Sequence, residues 1–152
     1  MTDEDYMREA IAEAQAAAHR GEVPVGAVLV NPKSGEIIAR SGNAPVALDD
    51  PTAHAEVLCL RDAGYRLANY RLSDLWLYVT LEPCTMCAGA ISHARIERVI
   101  YGADDVKGGT VENGVRFFAQ KTCHHRPSVE NGILAEECSI LLKDFFKARR
   151  KR

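Results

Sequence analysis

The stretch from Leu75 to Gly102 narrows the possible folds more than any other part of the chain. It reads LWLYVT, then LEPCTMCAGAISHA, then RIERVIYG. Two nearly all-apolar, β-branched runs flank a segment that opens on a proline and is rich in alanine, so the order is strand, helix, strand. Apolar residues at consecutive positions, without alternation, mean that both faces of each strand are covered. A second strand reached through so short a helix lies parallel to the first, by a right-handed crossover. Such a pair needs helices above and below the sheet.

The remaining segments extend this unit. Thr2 is positioned to cap a helix from about Asp3 to Arg20, with an Ala-rich interior and Gly21 at its end. VPVGAVLV, the turn NPKSG and EIIARS predict a β-hairpin. In DDPTAHAEVLCLRDAG, Thr52 is the expected N-cap of a second helix that stops at Gly64. A last helix is expected from about Leu134 to Arg149, with Ile140, Leu141, Leu142, Phe145 and Phe146 on or near its apolar face. Residues 104–132, rich in Gly, Asn and charge, carry no clear periodicity. The whole predicts an α/β fold of three layers (α/β/α) around a mixed sheet of about five strands, in one domain over residues 1–152.

Composition excludes several classes. No run approaches the roughly 18 apolar residues of a membrane helix. The opening MTDEDYMREA is acidic where a signal peptide is basic, so a cytoplasmic location is expected. The five cysteines, an odd number, then read as thiols or metal ligands rather than disulfides. A net charge of −2 argues against wholesale coating of nucleic acid, although the closing KARRKR concentrates five cations. That tail is either a solvated end or a local phosphate contact.

The chemistry concentrates in Cys84 and Cys87. At i and i+3 they share one helix face and can reach one metal ion. Two thiolates leave zinc needing at least one more ligand; three protein ligands plus water make a catalytic site, four a closed structural one. His54 is the best third candidate, since it sits at the start of one helix as Cys84 does at another, where partial positive charge favours thiolates. Cys59, Cys123, Cys138, His93, His124 and His125 are alternatives on paper, with Cys59 and Cys138 reading better as buried small hydrophobes. Glu56, two residues after His54, projects away from it and suits a proton carrier beside the ion's open position. A bare CxxC also fits a redox pair, which leaves His54 and Glu56 without a role.

PTAHAE and PCTMC together spell H-x-E followed by P-C-x-x-C, the signature of the zinc-dependent nucleobase deaminases. Over nearly the whole chain, through EVPVGAVLV, Gly42–Asn43, NYRL, LYVTLEPCTMCAGA, ARIERVIYGA, GILAEE and DFFKARR, the sequence resembles the bacterial tRNA-specific adenosine deaminases of the cytidine/deoxycytidylate deaminase superfamily. The resemblance implies a cytidine-deaminase-like fold, one zinc per subunit on His54, Cys84 and Cys87, and Glu56 as the proton shuttle. It implies hydrolysis of adenosine to inosine at the wobble position of a tRNA anticodon stem-loop, by a homodimer. Asn43 would meet the flipped base, and His93, Asp105, Lys107, Phe145, Phe146, Arg149 and Arg150 would contact RNA. The plainer alternatives are core packing for Phe145 or Phe146 and turn capping for Asp105. GGTVENGVRFFAQKTCHHRP, after Lys107, departs from the Gly-Ala-rich loop of more familiar members. Two other functions share parts of this pattern: a deaminase of a free cytosine- or guanine-type base or nucleoside, and a non-catalytic module stabilised by zinc.

Overall fold

The computed structural model describes residues 1–150; of the KARRKR tail, Lys151 and Arg152 lie outside the described residues. Helix α1 (Asp3–His19) starts as predicted, with the Thr2 side chain accepting the Asp5 N–H and the Asp5 carboxylate accepting the Thr2 N–H. Strands β1 (Gly26–Val30) and β2 (Ile37–Gly42) form the hairpin. A short helix α2 (Pro45–Leu48) follows, then α3 (Ala55–Leu67), β3 (Trp76–Leu81), α4 (Thr85–Ala94), β4 (Arg98–Ala103), β5 (Ser128–Glu130) and α5 (Ala135–Arg150).

The sheet order is β2-β1-β3-β4-β5. β1 is antiparallel to both its neighbours, while β3, β4 and β5 are mutually parallel. It follows that β1 alone runs against the other four strands. The carboxyl ends of β2, β3 and β4 therefore reach one rim, and that is where ligands enter an open α/β sheet.

Alternate residues divide the core into two layers. Ala27, Leu29, Leu77, Val79, Val99 and Tyr101 meet Cys59, Ala63, Ala88 and Ile91 of α3 and α4. Val28, Val30, Tyr78 and Ile100 meet Met7, Ala10 and Ile11 of α1 and Cys138 of α5. α1 packs on β1 so closely that a Cβ on Gly26 would lie 2.0 Å from the Ala10 carbonyl oxygen, which explains a glycine inside a strand.

Three local expectations need correction. Thr52 does not cap α3: its N–H and hydroxyl are both spent on the Asp50 carboxylate, and His54 takes the N-cap position. Gly64 lies inside α3, which continues to Leu67 and ends on Ala68 in the left-handed conformation. α5 is less buried than its apolar pattern suggests, with Cys138 its one buried residue and Ile140 and Phe146 nearly half exposed.

The rim opposite the carboxyl ends carries an ion network. Arg98 donates to both oxygens of Asp3, at 3.1 and 2.9 Å, bonds Glu130, and stacks over Trp76. Its hydrogen bonds hold the Asp3 carboxyl below its ordinary value of 3.8. The stabilisation is complete above that value and is lost as the pH falls through the lower folded one. Urea unfolding should therefore show wild-type stability falling more steeply than that of Asp3→Asn between about pH 4.5 and pH 3. Parallel curves for the two proteins would remove the pair from the account of acid stability.

Candidate active site

Three chain turns meet at the carboxyl rim. β2 ends at Gly42, so Asn43 emerges there. His54 is the N-cap of α3 and Cys84 that of α4, and neither uses its side chain to cap. The α3 cap is supplied instead by Asn43, whose Oδ1 accepts the Ala55 N–H at 2.8 Å. His54 is thereby free to face α4. Its Nδ1 lies 3.6 Å from Cys84 Sγ and 3.5 Å from Cys87 Sγ, with all three atoms within 4.8 Å of one another.

The donor set fits zinc. Tetrahedral bonding at about 2.3 Å to sulfur and about 2.0 Å to nitrogen separates sulfur from nitrogen by about 3.5 Å, and both observed separations agree. The Cys87 thiol holds Cys84 down to about 5, with His54 pulling the same way, while the hydrogen bond to Cys84 and burial push Cys87 up. His54, Cys84 and Cys87 form the one His/Cys/Asp/Glu group of this kind among the described residues. Cys59 and Cys138 are buried in the core, and Cys123 lies against Ser92.

Glu56, in the first turn of α3, is 4% exposed. Burial raises its carboxyl to about 7, against the pull of its own N–H and of the Cys87 thiol. A buried carboxyl touching the metal-ligand cluster without belonging to it is equipped to exchange protons.

Residues 1–103, which contain all four of these side chains, match the cytidine and deoxycytidylate deaminase zinc-binding region. The chain is 54% identical to the tRNA-specific adenosine deaminase of Agrobacterium fabrum over 95% of this chain and 94% of the relative. The chain belongs to the tRNA-specific adenosine deaminase family. A family member from Haemophilus influenzae is 48% identical over 98% of this chain and 86% of its own. A solved structure from studies of A-to-I editing by tRNA:A34 deaminases at the wobble position of transfer RNA superposes with a TM-score of 0.88, at 55% identity, covering 91% of this chain and 99% of that one. The three-layer fold with its five-stranded mixed sheet is thus the fold of the family.

The remaining positions implied by the family resemblance fall into three places. Asn43, Phe145, Phe146 and Arg149 line one recess of about 190 Å³ with Glu22 and Val46. Arg149 closes it by donating to the Gly21 carbonyl and stacking over Phe145. Phe146 is exposed, so core packing does not explain it. Arg150, at the end of α5, is exposed. Asp105 and Lys107 follow β4 at the same rim, and Asp105 caps a turn by accepting the Lys107 and Gly108 N–H groups. His93 stands apart, in a groove between α3 and α4 lined by Val57, Leu60, Tyr70 and Leu72.

Two buried carboxylates escaped the sequence reading. Glu22 accepts the N–H groups of Val46 and Ala47 and so anchors α2. Glu82 gathers the loop after β4. Neither occupies a periodic position, and the one trace either leaves is the glycine spacing of the segment that wraps Glu82.

Proposed function

We propose that this protein hydrolyses adenosine to inosine at the wobble position of a tRNA anticodon loop, releasing ammonia. The observation that carries the reading is the convergence of His54, Cys84 and Cys87 with the buried Glu56 at one rim, on a chain whose relatives are tRNA-specific adenosine deaminases. Zinc held by the three ligands, one ion per subunit, supplies the Lewis acidity that makes water nucleophilic near neutral pH. Glu56 accepts one proton from the attacking water and delivers it to adenine N1, then carries the second proton of that oxygen to the amine, so that the C6 carbonyl forms as ammonia leaves. Asn43 orients the base, and the recess closed by Phe145, Phe146 and Arg149 receives the RNA around it. A single-stranded loop suits the reaction, because its bases splay out at small unstacking cost.

We assign the whole chain to one deaminase domain acting in the cytoplasm as a homodimer. No helix of the described residues is long and apolar enough to cross a membrane. The apolar groove between α3 and α4, about 530 Å³ with the exposed Tyr70 on its edge, supports a second copy docking there. The test is to incubate zinc-loaded protein with an anticodon stem-loop bearing a wobble adenosine, beside free adenosine, cytosine and guanine. Inosine in the stem-loop alone is expected, from a species of twice 16.7 kDa in solution. Turnover confined to the free bases would replace this reading with that of a small-molecule deaminase, and a monomer would remove the homodimer.

A further inference from the structure

The chemistry above gives Glu82 nothing to do, yet no side chain among the described residues is more heavily engaged. It is 3% exposed and immediately precedes the Pro83–Cys84 turn. Burial pushes its carboxyl up, but hydrogen bonds from Asp105, Asn113 and Val111 outweigh burial and hold it below its ordinary value. Oε1 accepts the Asp105 N–H at 2.9 Å and the Asn113 side-chain amide at 2.7 Å. Oε2 accepts three successive backbone N–H groups, from Val111, Glu112 and Asn113, at 3.0, 2.9 and 3.1 Å. Consecutive N–H groups converging on one oxygen make an anion nest. This nest is filled by the protein's own carboxylate.

The loop is shaped around it. A Cβ on Gly109 would lie 2.4 Å from Glu82 Cδ and 2.5 Å from the Asp105 carbonyl oxygen. Gly114, at φ +56°, turns the chain where a Cβ would meet the Gly109 carbonyl at 2.5 Å. The Pro83 carbonyl accepts the Thr110 N–H at 3.0 Å, one residue before the ligand Cys84. Both ends of the 105–113 segment are thus tied to the residues that lead into the metal-ligand turn. Its crown, Val106 at 79% exposed and the exposed Lys107, stays free at the carboxyl rim.

We infer that Glu82 is a positioning residue for RNA recognition: it holds the 105–113 loop as a wall of the site, in fixed register with Cys84, so that the crown of the loop meets the RNA beside the target nucleotide. The inference rests on the proposed tRNA deamination and adds to it the residue that fixes one flank of the substrate. The role needs a carboxylate. Five donors converge on Glu82, and a glutamine would turn an N–H₂ toward some of them, leaving buried donors facing donors.

The test compares Glu82→Gln, Glu82→Asp and Asn113→Ala with wild type, all zinc-loaded, on the wobble-adenosine stem-loop. For Glu82→Gln we expect KM to rise about tenfold or more with kcat within about threefold. Asn113→Ala, which removes one of the five donors, should shift KM the same way by less, and Glu82→Asp should recover part of the loss. Hydrogen exchange at the amides of Val111, Glu112 and Asn113 should quicken in Glu82→Gln. The visible spectrum of the cobalt-substituted protein should match wild type, showing the ligand turn intact. Wild-type KM in a folded Glu82→Gln would overturn the inference, as would a loss confined to kcat with an altered cobalt spectrum. If Glu82→Gln does not fold, an unchanged KM in Asn113→Ala overturns it. A wild type that makes no inosine removes the proposed function and this inference together; wild-type turnover with an indifferent Glu82→Gln removes the inference alone.

Discussion

Glu56→Ala is expected to fold, to bind zinc at the wild-type ratio, and to form inosine at least about a thousandfold more slowly, within the range that general acid and base groups contribute. Retention of zinc follows from the proposed ligand set, His54, Cys84 and Cys87, since Glu56 stands outside that cluster. The loss in rate follows from burial. At 4% exposure the carboxylate occupies a place that solvent cannot readily fill, so no bulk base takes over when it is cut back to alanine. Glu56→Gln keeps the volume and removes the proton exchange, and should be nearly as slow. Zinc analysis with single-turnover measurement on the stem-loop checks both. Unchanged deamination would take Glu56 out of the mechanism and bring forward the reading of a zinc-stabilised binding module.

Cys87→Ala should cost even more, because it strikes metal and fold together. Cys87 is fully buried in α4 and is one of the three ligands the proposed function gives to zinc. Changes to groups that merely support ligands lower zinc affinity about 10- to 100-fold, so loss of a ligand should exceed about a hundredfold. Turnover should fall below detection at zinc levels that saturate wild type. An ion present at a thousand times its Kd stabilises the folded state by about 4 kcal/mol, so the melting temperature should drop by roughly 10 °C. Wild-type protein stripped by a chelator should melt as the variant does and recover on adding zinc, which the variant should not. A Cys87→Ala protein with full zinc content and an unchanged melting temperature would contradict the three-ligand site.

The parts of the fold legible in the sequence are those where local preference and burial agree. β3, α4 and β4 are bounded by turn residues and apolar on every face that packs, so pattern alone places them within a residue or two. β5 was not legible. It is Ser-Val-Glu with one half-buried side chain, and it is a strand because it completes the open edge of β4. Thr52 misled because a hydroxyl before an apolar helix is a cap by preference, while the Asp50 carboxylate two residues earlier claims it first. The His54, Cys84 and Cys87 cluster was legible as residue types at a fixed spacing. Asn43 and the RNA-contact positions came from resemblance alone, and Glu82 from neither, since an anion nest depends on backbone directions that no side-chain pattern encodes.

The capping bond between Asn43 and Ala55 also settles the polarity of the recess. Because the Ala55 N–H requires an acceptor, the amide of Asn43 is fixed with its oxygen toward α3. Asn43 lines the recess, and its side-chain nitrogen makes no hydrogen bond among the described residues. On the proposed function, Asn43 meets the base as a donor. A base must bring it a lone pair, from a ring nitrogen or a carbonyl oxygen, while an exocyclic amino group turned to this wall would find two hydrogens opposing its own. On the proposed function, the backbone of one helix thus selects which edge of the base Asn43 can read.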